Sequence, residues 1–287
     1  MKVDYQKQVK SSAYKFHPIH LKWLGLHIPA SAMLFYIVAI RLPDGKSPIN
    51  PIVCGMIGLI VFSVTNVLGY LNAGKPSQLP QGKETFLEKY RVNLTKVILV
   101  CLLSSAILSG FVPALLWKYG AGICLLIAVC LWGFSKIAFD NPKRIIIQPV
   151  TAMLYTLGIW ASPMISQHFK NLETKTLSVI FFLLTLQIII LISHFEALDR
   201  NTTPNLARWL GKPRTRYLTY IITILVCLTC ISLCLKTEFR YIQRLAVIFI
   251  VITCFQLSIF IKSGKVDNRL YLKLAAEMSI LFPILLL

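Results

Sequence analysis

Two carboxylates lie close together in the segment Ser193-His194-Phe195-Glu196-Ala197-Leu198-Asp199-Arg200. Glu196 and Asp199 are separated by about one helical turn, so both side chains can share one face of a helix. Such a pair can hold Mg²⁺, which prefers hard oxygen ligands. The same carboxylates can instead form ion pairs with Arg200 or with arginines of the following loop, as acidic groups at a membrane edge usually do. Ion pairing is the simpler interpretation, and His194 is expected to be packed or interfacial rather than a ligand.

A second polar constellation closes an earlier apolar stretch. It runs from Asn66 to Gly74 and continues through Lys75 to Thr85. Asn66, Tyr70 and Lys75, together with Arg200, offer an amide, a phenol and two cations, and they are the candidate substrate-binding residues. The cations could contact a diphosphate or an anionic lipid. Their position also fits the general excess of basic residues in cytoplasmic loops, which carries no information about a site.

The two constellations together resemble the motifs of the UbiA superfamily of intramembrane prenyltransferases. The first family motif reads Asn-Asp-x-x-Asp-x-x-x-Asp, followed by a segment like Arg-Pro-Leu-Pro-x-Gly, and the stretch Asn66–Gly74 followed by Gln78-Leu79-Pro80-Gln81-Gly82 keeps that spacing. The second motif is Asp-x-x-x-Asp with a later Leu-Gly, which Glu196, Asp199 and Leu210-Gly211 resemble. The resemblance implies nine helices, a cytoplasm-facing cavity, and motifs after helices two and six that hold Mg²⁺ and a prenyl diphosphate.

The first motif departs from the family at the residues that would bind metal. Its three aspartates fall on Val67, Tyr70 and Gly74, and only Asn66 is kept. Without carboxylates to hold the metal, the leaving diphosphate would lose its main electrostatic stabilisation. We therefore expect a cavity for an isoprenoid or similar lipid, without ordinary magnesium-dependent prenyl transfer. The alternative is a divergent but active prenyltransferase, using Mg²⁺ at Glu196 and Asp199, that moves a prenyl group to an aromatic or lipid acceptor.

The elements that must position these residues are long apolar segments. Hydrophobic residues make up 56% of the 287 and charged residues only 14%, against about 25% charged in soluble domains. A bilayer crossing takes about 20 apolar residues as a helix. The sequence predicts an all-α integral membrane protein with about nine transmembrane helices in one domain spanning residues 1–287. The predicted spans are Trp23–Ile40, Ile52–Leu71, Val97–Trp117, Tyr119–Phe134, Ile145–Ile165, Leu177–Ile192, Tyr217–Leu235, Leu245–Ile261 and Leu270–Leu287.

Basic residues predict the orientation of these spans. With the N-terminus inside, only eight of the 30 lysines and arginines fall on the outer side: Arg41, Lys46, Lys118, Lys170, Lys175, Lys236, Arg240 and Arg244. This bias favours a cytoplasmic N-terminal segment, residues 1–22, without a cleaved signal peptide, and a C-terminus on the opposite side. The two longest connections, residues 72–96 and 193–216, are then cytoplasmic. The third and fourth spans are expected to form a tight hairpin turning at Lys118.

Composition also restricts the partners. The net charge of +19 is spread over short connections, which indicates a lipid surface rather than nucleic acid. The bilayer, an isoprenoid or prenyl diphosphate, and a protein subunit are the expected partners. All eight cysteines lie in apolar stretches and are expected to pack. A transporter is less favoured, because internal repeats and broken helices are not evident.

Four polar residues inside the spans are better indicators of a site than the loop cations. They are Asn66, Gln148, Tyr155 and Gln187. Polar groups within a membrane are costly and often line a cavity. They can also simply bond to a neighbouring helix, and the sequence leaves both interpretations open.

Overall fold

The computed structural model describes residues 24–73, 90–137, 141, 145–166, 172–198, 205–263 and 269–286. Over these residues the protein is helical and contains no strand. The helices, numbered in chain order, are α1 (His27–Ile40), α2 (Pro51–Ala73), α3 (Arg91–Ser109), α4 (Ala114–Lys136), α5 (Ile147–Ser166), α6 (Leu172–Leu198), α7 (Leu206–Lys236), α8 (Arg240–Lys262) and α9 (Arg269–Met278). A 3-10 helix, Ser279–Leu286, continues α9.

Six of these helices are long and apolar enough to cross a bilayer. They are α2, α3, α4, α6, α7 and α8, considering only the residues that the structure describes. Helices are the expected form, because backbone groups in lipid must be satisfied within the chain. The prediction of an all-α, multi-pass membrane protein is confirmed at this level. Nine crossings and a UbiA-like arrangement stay predictions.

The turn between the third and fourth helices lies earlier than the sequence analysis placed it. α3 ends at Ser109 and α4 begins at Ala114, so Lys118 lies inside α4 and the prediction of a turn there was wrong. The physical cause is Pro113, which precedes α4 with an extended backbone, φ −52° and ψ 139°. Gly110, Phe111 and Val112 are not charged, so hydropathy alone did not reveal the turn.

The two predicted cytoplasmic loops are also shorter than expected. α3 begins at Arg91, inside the predicted loop 72–96, and α6 continues to Leu198, inside the predicted loop 193–216. The second loop ends at Asn205, whose side chain accepts a hydrogen bond from the Arg208 backbone N–H at 2.9 Å and so caps α7. Helices project beyond the apolar runs because polar residues at a membrane surface can keep helical hydrogen bonding. The predicted N-terminal segment, residues 1–22, lies outside the described residues.

The core forms around α1, although it is the shortest helix of the first eight. Phe35, on α1, is buried and contacts Phe181 of α6, with ring centroids 4.4 Å apart. Phe181 in turn contacts Trp160 of α5 at 6.0 Å, and Phe35 contacts Phe249 of α8 at 6.1 Å. α1 is apolar around most of its circumference, as a helix enclosed by others must be.

By contrast, α3 and α4 lie at the periphery. α4 has no buried residue, and it packs chiefly against α5. Its exposed large side chains include Leu125 and Trp132, which fits a helix with one face toward lipid. α4 therefore lies at the outside of the bundle and packs loosely against the rest of it.

Candidate functional site

A large cavity lies inside the helical bundle. Its volume is about 570 Å³, within the usual range for small-molecule pockets. Residues of α1 to α6 line it, together with Glu277 of α9 and Ile280 of the following 3-10 helix. On α2 the lining extends from Val53 to Leu68, which corresponds to about 22 Å at the helical rise. The cavity is thus long enough to follow most of the hydrocarbon thickness of a bilayer.

The lining is predominantly apolar. Leucine, isoleucine and valine side chains, most of them from α2, α4, α5 and α6, make up about half of the lining residues. Several lining hydroxyls donate to carbonyl groups of their own helices, as Thr151 does to Ile147 at 2.7 Å and Ser105 to Cys101 at 2.9 Å. Hydroxyls satisfied in this way add little polarity to the wall.

One end of the cavity carries an acid and an imidazole. His27 Nε2 lies 3.7 Å from Glu277 Oε2, and each side chain is only 13% exposed. This is the end where α1 begins and α2 approaches its last turns, because the Asn66 side chain on α2 reaches the Leu24 carbonyl just before α1. A partly buried pair of this kind in an apolar wall is costly and therefore a candidate for function.

A second polar contact lies one helical turn further along α1. The hydroxyls of Ser31 and Tyr155 are 2.8 Å apart, joining α1 to α5. Tyr155 also donates to the Ile28 carbonyl at 3.4 Å, and Ser31 donates to it at 2.7 Å. Both side chains line the cavity. His27, Glu277, Ser31 and Tyr155, hereafter the polar end, form a cluster of hydrogen-bonding groups at one end of a mostly apolar volume.

Sequence reasoning indicated only one member of the polar end, namely Tyr155. The missed signal for Glu277 was a carboxylate inside the apolar segment Leu270–Leu287, since an acid at such a position marks a site by default. His27 was not recognised as a candidate site residue, because it lies close to the basic N-terminal segment.

Asn66 is a structural residue in this geometry. It is 5% exposed, and its side-chain amide donates to the Phe62 carbonyl at 2.8 Å and to the Leu24 carbonyl at 3.4 Å. It holds the segment before α1 against α2 and is not among the lining residues. Tyr70 lies in α2, but its side chain is outside the described part of the chain, so its predicted substrate contact stays a prediction.

Glu196 lies away from the cavity. Its Oε1 accepts a hydrogen bond from Lys273 Nζ of α9 at 3.4 Å, so the ion-pairing interpretation holds with a partner that the sequence analysis did not name. His194 Nε2 lies 3.1 Å from Ser263 Oγ, and its ring packs on Phe260 at 4.6 Å. The other predicted site residues, Asp199, Lys75 and Arg200, lie outside the described residues.

The two glutamines bond to neighbouring helices rather than lining the cavity. Gln187 is fully buried and donates to Thr223 Oγ1 of α7 and to the Thr253 carbonyl of α8, both at 3.2 Å. Gln148 accepts a hydrogen bond from the Leu206 backbone N–H at 3.1 Å, joining α5 to the start of α7. Both residues fix helix positions next to the cavity.

Among the described residues, no group of three or more histidine, cysteine, aspartate or glutamate side chains is arranged to hold a metal ion. The eight cysteines are free thiols, and Cys230, at the centre of the stripe Cys227–Cys234, is buried among apolar side chains.

The chain was also compared with known proteins. It matches no family model, and no curated protein or solved structure matches it.

Proposed function

We propose that the chain is a UbiA-like membrane protein whose intramembrane cavity binds an isoprenoid or a similar long-chain lipid, without ordinary magnesium-dependent prenyl transfer. The observation that carries the proposal is the cavity itself, about 570 Å³ in volume and lined mostly by apolar side chains along the length of α2 from Val53 to Leu68. An elongated, mostly apolar volume with the polar end at one terminus fits an amphiphile that has one long tail and one small headgroup.

The proposed orientation rests on the distribution of lysine and arginine. The N-terminus is taken to be cytoplasmic, so the polar end lies toward the cytoplasmic leaflet, where α1 begins. A lipid bound in this way keeps its headgroup at the same depth as the headgroups of the surrounding bilayer and its tail among the helices.

The arrangement of charged groups favours binding over transfer. Among the described lining residues the acid is Glu277, while Glu196 is occupied by Lys273 outside the cavity. Prenyl transfer by a metal mechanism needs several oxygen ligands converging on the diphosphate. Prenyl transfer to an acceptor is kept as the second candidate, supported only by the resemblance of the two motifs.

The test is photocrosslinking of the full-length protein in lipid nanodiscs with a diazirine-bearing geranylgeraniol. Gly158 lines the cavity on α5, and a Cβ atom placed there would meet nothing within 4 Å. The side chain of Gly158→Leu therefore starts in open space and extends into the cavity volume. A bound lipid tail would have to overlap the new side chain, and such over-packing costs about 1–3 kcal/mol, so we expect crosslinking to fall by roughly tenfold or more.

The control is Gly122→Leu on α4. Gly122 also has open space around it but does not line the cavity, so crosslinking should stay at the wild-type level. Equal labelling of wild type and Gly158→Leu, or crosslinks that map only to lipid-facing residues such as Leu125, would refute the proposal. Prenyl transfer from geranylgeranyl diphosphate with Mg²⁺ to an aromatic acceptor, lost in Glu196→Ala, would instead establish the second candidate.

A further inference from the structure

The charges of the side chains that line the cavity restrict which ligand headgroups can bind there. Among the described lining residues the only groups that can carry a full charge at neutral pH are Glu277 and, when protonated, His27, and the set includes no lysine or arginine. Proteins bind diphosphates with several cations or with backbone N–H groups at helix N-termini. With His27 neutral, Glu277 and the lack of lysine or arginine among the described lining residues make this end unfavourable for an anionic headgroup.

The geometry of the polar end suits a neutral oxygen atom. His27 Nε2 and Glu277 Oε2 are 3.7 Å apart, which is longer than an N–H···O hydrogen bond. A polar contact of that length is commonly bridged by an oxygen that donates to one side and accepts from the other. The hydroxyl group of an alcohol fulfils both roles. The Tyr155 and Ser31 hydroxyls, 2.8 Å apart one turn away, already donate within the protein, so they can accept a hydrogen bond from a second hydroxyl of a ligand.

We infer that the polar end selects isoprenoids with an uncharged hydroxyl headgroup, such as a prenyl alcohol or a quinol, over prenyl diphosphates. This inference rests on the proposed function. The carboxylate of Glu277 accepts a hydrogen bond from the headgroup hydroxyl and disfavours anions. The ligand class is therefore the hydrolysed form of an isoprenoid, or the reduced quinol form, rather than the activated donor form.

Competition against the photoreactive probe separates the headgroups. Unlabelled geranylgeraniol, geranylgeranyl diphosphate and phytane, an isoprenoid hydrocarbon without a headgroup, would each be titrated against crosslinking of the wild-type protein. We expect the alcohol to compete about a hundredfold better than the diphosphate, because placing like charges together costs several kcal/mol. Equal or better competition by the diphosphate would overturn the inference. Failure of all three compounds would overturn the proposed function instead.

Glu277→Gln then tests the carboxylate directly. The variant keeps the size and hydrogen-bonding capacity of the side chain but removes its charge, so the preference for alcohol over diphosphate should shrink to about tenfold or less. Competition by phytane should be unchanged, since phytane has no headgroup that could contact residue 277. Glu238→Gln, an exposed acid between α7 and α8, is the matched control and should behave as wild type. An equal loss for all three competitors in Glu277→Gln would show that Glu277 serves packing alone and would refute the inference.

Discussion

Replacing Gln187 tests how much an internal polar contact contributes to this bundle. Gln187 is fully buried on α6, donates to Thr223 Oγ1 and the Thr253 carbonyl at 3.2 Å, and accepts from Thr253 Oγ1 at 2.6 Å. These three hydrogen bonds join α6 to α7 and α8. Gln187→Leu keeps similar side-chain bulk and removes all three bonds.

The expected magnitude follows from the number of bonds. Interhelical hydrogen bonds in membrane proteins average about 0.6 kcal/mol each, so three bonds predict a loss of about 2 kcal/mol. The loss is smaller than burial in water-soluble proteins suggests, because the separated helices also find partners in the bilayer. The Thr223 hydroxyl keeps a second bond to the Thr219 carbonyl at 2.9 Å, so most of the penalty should come from Thr253.

A double-mutant cycle identifies that contribution. The free energy of unfolding would be measured by steric trapping in bicelles for Gln187→Leu, Thr253→Val and the double variant. The double variant should lose less than the sum of the single variants by about 0.6–1.7 kcal/mol, because the second substitution removes the hydroxyl that the first leaves without its acceptor. A Gln187→Leu protein as stable as wild type, or strictly additive losses, would refute the reasoning.

Two further substitutions test the start of α7. Asn205→Ala removes the cap on the Arg208 N–H and the 3.1 Å bond from the Asn205 amide to the Ser193 carbonyl, and it should lower the free energy of unfolding by about 1–2 kcal/mol in the same assay. Gly211→Ala should cost about 1–3 kcal/mol, because Gly211 has φ +76° and ψ 160°, a conformation that is essentially restricted to glycine. The same substitution at Gly122, within the helical α4, should be neutral or stabilising, and a comparable loss there would contradict the attribution to backbone strain.

The helices could be anticipated because the length of an apolar run encodes a membrane crossing. The predicted segment Leu245–Ile261, for example, falls within α8, Arg240–Lys262. The prediction of a turn at Lys118 was wrong, because a lysine inside a helix can extend its side chain toward the membrane surface. Pro113 was the better signal, because a proline disfavours helical backbone in the residue before it.

The contacts of the cavity could not be anticipated in the same way. His27 and Glu277 come from opposite ends of the chain, and their 3.7 Å approach depends on how the 3-10 helix that follows α9 packs against α1, which hydropathy does not specify. Gln187 and Tyr155 were equivalent as sequence signals, since both are polar residues in apolar spans. Only their facing directions distinguish them, with Gln187 toward α7 and α8 and Tyr155 toward the cavity.

The described motif residues and the cavity-lining residues therefore have different structural roles. Asn66 is engaged by the carbonyls of Phe62 and Leu24, and Glu196 by Lys273, so the described parts of both motifs hold the ends of helices together. Among the described lining residues, the groups that can be charged at neutral pH are instead His27 and Glu277. The described polar groups of the cavity therefore include the His27–Glu277 contact between α1 and α9, whereas the described motif residues Asn66 and Glu196 do not line it. On the proposal that Glu277 selects the headgroup, Val67→Asp alone should leave the preference for alcohol over diphosphate unchanged in the competition assay, and a changed preference would contradict that role.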